Sequence, residues 1–100
     1  MSKVAIVARV TIHEGREGKY IAAFAALLKQ AEREPGTLLY TLNRSADDPL
    51  VFWTTEVYAD EVAFAAHRAG EERSGAAAVF TDLIASAEVT VGQTLLAKGL

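Results

Sequence analysis

The chain has 100 residues, 51% of them apolar, and a formal net charge of −3. That is the profile of one globular domain spanning 1–100, with neither the charge of a disordered segment nor the basic stripe of a nucleic-acid groove. With no cysteine and only two histidines, the chain offers no disulfides, thiolate zinc sites or cysteine nucleophiles, and no metal site is expected.

Residues 3–12 alternate as a strand. Val4, Ile6, Ala8, Val10 and Ile12 share one face, while Ala5, Val7, Arg9 and Thr11 share the other. Both faces are largely apolar, so the strand is expected to be covered on both sides. This start lacks the charged-then-apolar plan of a signal peptide. No run nears the roughly 18 apolar residues of a membrane span. A cytoplasmic location with no membrane partner is the expectation. A polar turn at 13–18 leads into a helix over about 19–33, where Tyr20, Ile21, Phe24, Leu27, Leu28 and Ala31 form a stripe at helical spacing. Pro35-Gly36 ends it.

Two strands follow, 37–43 and 50–58, joined as a hairpin by a turn-forming loop over 44–49. In the second, Val51, Trp53, Thr55 and Val57 face one way, and Phe52, Thr54, Glu56 and Tyr58 the other. Asp60 is placed to cap a short helix through His67, which Gly70 and Gly75 break or bend. A further helix is expected over 76–87, with Val79, Phe80, Leu83 and Ile84 as its stripe. A last strand over 88–97 then puts Val89, Val91 and Leu95 on one side. The order β-α-β-β-α-β is the α+β, ferredoxin-like plan, an antiparallel sheet with helices on one face. The uncovered face calls for a homodimer packed sheet against sheet.

No phosphate-binding loop, nucleophile elbow or H-E-x-x-H helix is present. His67 and Glu71 stand at i, i+4, but two ligands are too few for a metal. The polar and aromatic groups that stand out are Asn43, Trp53, Glu56, Tyr58 and His67, a set suited to a small aromatic ligand. Each also has a plainer role. Trp53 can be core or interface packing, Tyr58 can bond backbone, and Asn43 is a normal turn residue. Glu56 can pair with Arg9 or Arg68. His67 can sit at a helix end where the dipole favours its cation. The residues alone leave both sets of roles open.

The order Glu34-Pro-Gly-Thr-Leu-Leu-Tyr-Thr-Leu42 and then Phe52-Trp-Thr-Thr-Glu-Val-Tyr-Ala-Asp-Glu-Val-Ala-Phe-Ala-Ala-His67 resembles the antibiotic biosynthesis monooxygenase family. The likeness extends in outline from about Val4 to Leu95. It implies a dimeric α+β barrel with a pocket between sheet and helices. It also implies oxidation of a quinol or phenolic, polyketide-like substrate by molecular oxygen without metal, flavin or other cofactor. A deprotonated electron-rich ring can itself reduce oxygen, so the protein has to bind it, take a proton and stabilise the anion. By the resemblance Glu56, Tyr58 and His67 are the catalytic candidates. Trp53, Asn43, Arg9 and Phe64 are expected to bind substrate. Two departures stand out. The first strand lacks the asparagine of the haem-degrading branch, and Gly70 stands where a hydroxyl residue often follows the histidine. An isomerase of a small polar or phosphorylated metabolite, anchored by Arg9, Arg44 and Arg68, is an alternative. So is a non-catalytic dimeric ligand-binding or stress module.

Overall fold

The computed structural model describes residues 2–100, in the order β1 (Val4–Ile12), α1 (Glu17–Ala31), β2 (Thr37–Arg44), β3 (Val51–Tyr58), α2 (Glu61–Ser74), α3 (Ala76–Leu83) and β4 (Ile84–Gln93). The four strands form one antiparallel sheet in the order β2-β3-β1-β4. The two central strands are the most apolar of the chain, in keeping with their cover on both edges. The ferredoxin-like α+β plan expected from the sequence is the one adopted.

Strand parity sets the core. Val10 lies opposite Phe52, and Ile6 opposite Glu56, so the even-numbered residues of both strands face the helices. There Val10, Ile12, Phe52, Tyr20 of α1 and Leu83 of α3 form one buried cluster. Val4, Ile6 and Tyr58 form a second, against Ala63 and Phe64 of α2. Each fully buried large apolar side chain contributes about 1.5–3 kcal/mol. Between the clusters, facing the same way, lie Thr54, Glu56 and Tyr40. A polar belt therefore crosses the middle of an otherwise apolar layer.

Helix α1 begins two residues earlier than expected and ends at Ala31. It buries Tyr20, Phe24, Leu27 and Ala31 at spacings of four, three and four. The Thr37 amide donates to the Glu34 carbonyl at 3.1 Å, closing a tight turn with Pro35 in the position its fixed φ favours. Gly36 is required there for steric reasons: a Cβ would sit 2.5 Å from Ala63 Cβ. Asp60 caps α2 as expected, its Oδ1 accepting from the Ala63 amide at 2.8 Å.

Two expectations fail in the second half. Gly70 does not break α2, which runs on to Ser74 and stops at Gly75, whose φ of 79° is the left-handed helix terminator. The last strand starts at Ile84, not 88, and ends at Gln93, not 97. Pairing with β1 explains both shifts, because Ile12 takes Ile84 at the start and Val4 takes Gln93 at the end. Leu95 lies beyond the ladder and is exposed. Among the described residues no helix is long and apolar enough to cross a membrane.

Candidate functional site

His67 is buried, only 1% exposed, on the inner side of α2. Its ring makes an edge contact with Tyr40, centroids 4.9 Å apart, and a tilted one with Tyr58 at 5.2 Å. Nδ1 lies 2.8 Å from Oε1 of Glu34, in the turn after α1. Nε2 lies 3.2 Å from Oε1 of Glu71, one turn further along α2. The second contact is off the hydrogen-bond axis and leaves Nε2 without an aligned partner. Charge attraction does not need that alignment.

Glu34 is the most heavily engaged of the three. Oε1 also accepts from the Thr37 hydroxyl at 2.9 Å, and Oε2 accepts from Gln30 Nε2 at 3.2 Å. Burial opposes its charge, but the bonds from His67, Gln30 and Thr37 outweigh it and hold its pKa below 4.5. Burial also opposes the imidazolium of His67. Glu71 and then Glu34 overcome it, raising that pKa above 6.5. Glu34 keeps 21% of its side chain exposed and Glu71 keeps 26%, so the pair links a sealed imidazole to solvent.

Gly70 explains itself here. It lies one turn from His67 and is buried, and a Cβ on it would overlap Gln30 Nε2. The space left by the absent side chain is filled by the amide that holds Glu34.

Glu56 is 9% exposed and sits in the polar belt. Its Oε2 accepts from the Thr54 hydroxyl at 2.7 Å, and its Oε1 from the Tyr58 hydroxyl. The Ala8 amide donates in turn to Thr54 Oγ1 at 3.3 Å. The pairing with Arg9 or Arg68 does not occur; neutral hydroxyls satisfy this carboxylate. Burial, and then the Glu56 charge, push the Tyr20 pKa up to about 12. The same two causes raise that of Tyr40, while for Tyr58 burial and its hydrogen bond to Glu56 lead.

The structure thus splits the expected site. Glu56, Tyr58, Phe64 and His67 come together under the helices, with Phe64 5.2 Å from Tyr58. Arg9, Trp53 and Asn43 form a row on the opposite, helix-free face, since Trp53 is paired with Arg9 on one side and Asn43 on the other. Strand alternation forbids Trp53 and Glu56 from sharing a pocket. Asn43 is not a turn residue either: it lies within β2, and its Nδ2 donates to the Trp53 carbonyl at 3.2 Å. The sequence reading missed Glu34, Tyr40 and Gln30 as site residues. Glu34 and Tyr40 stood inside the quoted Glu-Pro-Gly and Tyr-x-Leu motifs, and the carboxylate beside the turn was the available signal.

Two open grooves share Arg33, Glu34 and Arg73. One, of about 410 Å³, runs over Pro35, Gly36 and the first turns of α2; the other, of about 420 Å³, runs over Gln30, Gly70 and Ser74. Both are within the range that holds small ligands. Among the described residues no group of three or more side chains is arranged to hold a metal ion.

Residues 3–79 match the family model described as antibiotic biosynthesis monooxygenase. No curated protein matches the chain. A solved structure from Shewanella oneidensis is 29% identical, covering 93% of this chain and 91% of its own, with a TM-score of 0.81. SnoaB, a cofactor-independent oxygenase from Streptomyces nogalater, is 23% identical over 100% of both chains, with a TM-score of 0.84. A protein from Pseudomonas aeruginosa has the same TM-score of 0.84 at 20% identity, covering 96% and 97%. The last two likenesses carry the fold alone, whereas the family match extends over most of the sequence. The chain belongs to the antibiotic biosynthesis monooxygenase family.

Proposed function

We propose that the protein is a cofactor-independent monooxygenase that oxidises a quinol or phenolic aromatic with molecular oxygen. Family membership and the fold shared with a cofactor-independent oxygenase support the class. The observation that carries the reading is the buried imidazole 2.8 Å from a carboxylate that lines two open grooves. Because His67 is 1% exposed, Glu34 is the group that meets the substrate.

A phenolic hydroxyl placed against Glu34 gives up its proton to that carboxylate, which the Nδ1–H of His67 holds in place while Glu71 stands beside Nε2. The phenolate is electron-rich enough to reduce oxygen directly. One oxygen atom becomes the new ring carbonyl and the other leaves in water with the hydroxyl proton and the hydrogen of the oxidised ring carbon. The ring supplies all four electrons. Tyr58 and Tyr40, both in contact with the imidazole, hold its plane, and Glu56 anchors Tyr58.

The isomerase alternative loses its anchors. Arg9 lies on the helix-free face, Arg44 stacks over Phe52 at 4.9 Å and Arg68 over Phe64 at 5.7 Å. A non-catalytic binding module is the second reading, favoured by the burial of His67. A cytoplasmic homodimer belongs to the same proposal. Exposed Val7 beside half-buried Trp53 on the helix-free face supports a second copy there.

Oxygen uptake by the pure protein over a panel of hydroquinones and phenols tests the activity. Uptake above autoxidation is expected for at least one member, lost in H67Q. Background rates throughout the panel would leave the binding-module reading in its place.

A further inference from the structure

The proposed chemistry says nothing of what else the substrate carries. Arg33 follows the end of α1 and Arg73 sits in the last turn of α2. Either alone is an ordinary cation at a helix C-terminus, where the dipole favours it. Together they line both grooves, with Glu34 common to each. Neither forms an ion pair among the described residues, where the two ion pairs are those of His67.

Glu34 does not need them. Its two oxygens already accept three hydrogen bonds, from His67, Thr37 and Gln30, which leaves it one acceptor position. Arg33 and Arg73, without an ion-pair partner among the described residues, therefore line the same two grooves in a chain whose net charge is −3. A guanidinium is a planar fork matched to a planar oxyanion. The groove over Pro35 that they line carries an apolar patch of Pro35, Val62, Ala63 and Ala66 beside Thr37 and the helix-capping Asp60, and Val62 is 74% exposed. Such a patch suits the flat face of a ring. The ends of α1 and α2 both present partial negative charge here, which penalises a multiply charged phosphate more than a monoanion.

We infer that Arg33 and Arg73 form an oxyanion-binding subsite, and that the aromatic substrate is a hydroxylated aromatic carboxylate. Its ring lies over Pro35 and Ala63 and its carboxylate meets the two arginines, which directs its hydroxyl toward Glu34. The choice of reacting end rests on the monooxygenase reading; the anion subsite does not.

The test is equilibrium binding, by calorimetry, of a dihydroxybenzoate and of the matching neutral dihydroxybenzamide. The wild type, R33Q, R73Q and the double variant are compared, with circular dichroism to confirm that each is folded. The carboxylate should bind the wild type about tenfold more tightly than the amide, as expected for a charge-assisted contact. That preference should shrink in each single variant and vanish in the double one, while amide affinity stays the same. Equal affinities in the wild type, no binding of either compound, or a preference that survives in the double variant would each overturn the subsite. Oxygen uptake separates the two proposals. A carboxylate preference without any uptake keeps the subsite and removes the monooxygenase. Uptake that is indifferent to the carboxylate does the reverse.

Discussion

Two carboxylates of the molecule have opposite surroundings, the buried Glu56 in the polar belt and the half-buried Glu34 in the turn after α1. Glu56 is sealed at 9% exposure and satisfied by two neutral hydroxyls within its own strand. Glu34 is partly open, bonded to a titratable ring from an element 33 residues away, and borders two grooves. The first arrangement holds a charge still. The second can take up a proton, because it borders the grooves and its partner is a titratable ring whose pKa Glu71 and Glu34 raise. Burial alone does not mark a reactive carboxylate; a titratable partner plus access does.

Removing the sealed carboxylate gives the largest expected change in stability. Glu56→Ala strands the Thr54 and Tyr58 hydroxyls and opens a cavity, costing about 3 kcal/mol. The denaturant midpoint should fall accordingly, while oxygen uptake per folded molecule stays within a few-fold. Collapse of uptake in a folded Glu56→Gln protein would erase the contrast.

Glu34→Gln is the converse. Its stability loss should be about 1 kcal/mol, while kcat/KM falls about a hundredfold, the usual scale for a lost proton acceptor.

Two glycines sharpen the picture at smaller magnitude. Gly36→Ala forces two Cβ atoms together at 2.5 Å on packed backbones, and thermal unfolding should show a loss of about 2 kcal/mol. Gly70→Ala displaces only the end of the flexible Gln30 side chain, and the gain in helix propensity offsets part of the strain. Its stability should move by less than about 1 kcal/mol, but activity should drop because Glu34 loses a donor.

The smallest effect is in pH dependence. The raised pKa of His67 gives stabilisation that is complete below 6.5 and is lost as pH rises through the folded value. The lowered pKa of Glu34 gives stabilisation that is complete above 4.5 and is lost as pH falls through its folded value. The stability difference between wild type and H67Q should therefore plateau between about 4.5 and 6.5 and decline on both sides. A flat difference across the whole range would mean that the pair does not couple folding to protons.

Sequence periodicity located the first strand, the α1 stripe, the hairpin and the Asp60 cap, because each of these is set by neighbours in the chain. It failed at 84–87, where alanine favours helix, yet the free edge of β1 recruits Ile84 into a ladder. Alternation had already separated Trp53 from Glu56 and Tyr58, so grouping them in one site went against the strand's own geometry. Glu34 was hidden for another reason. Its partnership with His67 is made by the packing of α2 on the Pro35-Gly36 turn, and no local spacing encodes it.

That turn is braced at both ends. The Ala59 amide, one residue before the α2 cap, donates to the Gly36 carbonyl at 2.8 Å, and the Thr37 hydroxyl returns to Glu34. The hairpin loop at 45–50 is closed chiefly by its own side chains, Ser45 and Asp48 capping nearby amides. Tolerance to added length should differ accordingly. A tag or a fused module can enter between Ala46 and Pro49 with the chemistry intact. A single residue spliced between Pro35 and Thr37 would unseat the carboxylate from the imidazole without touching either.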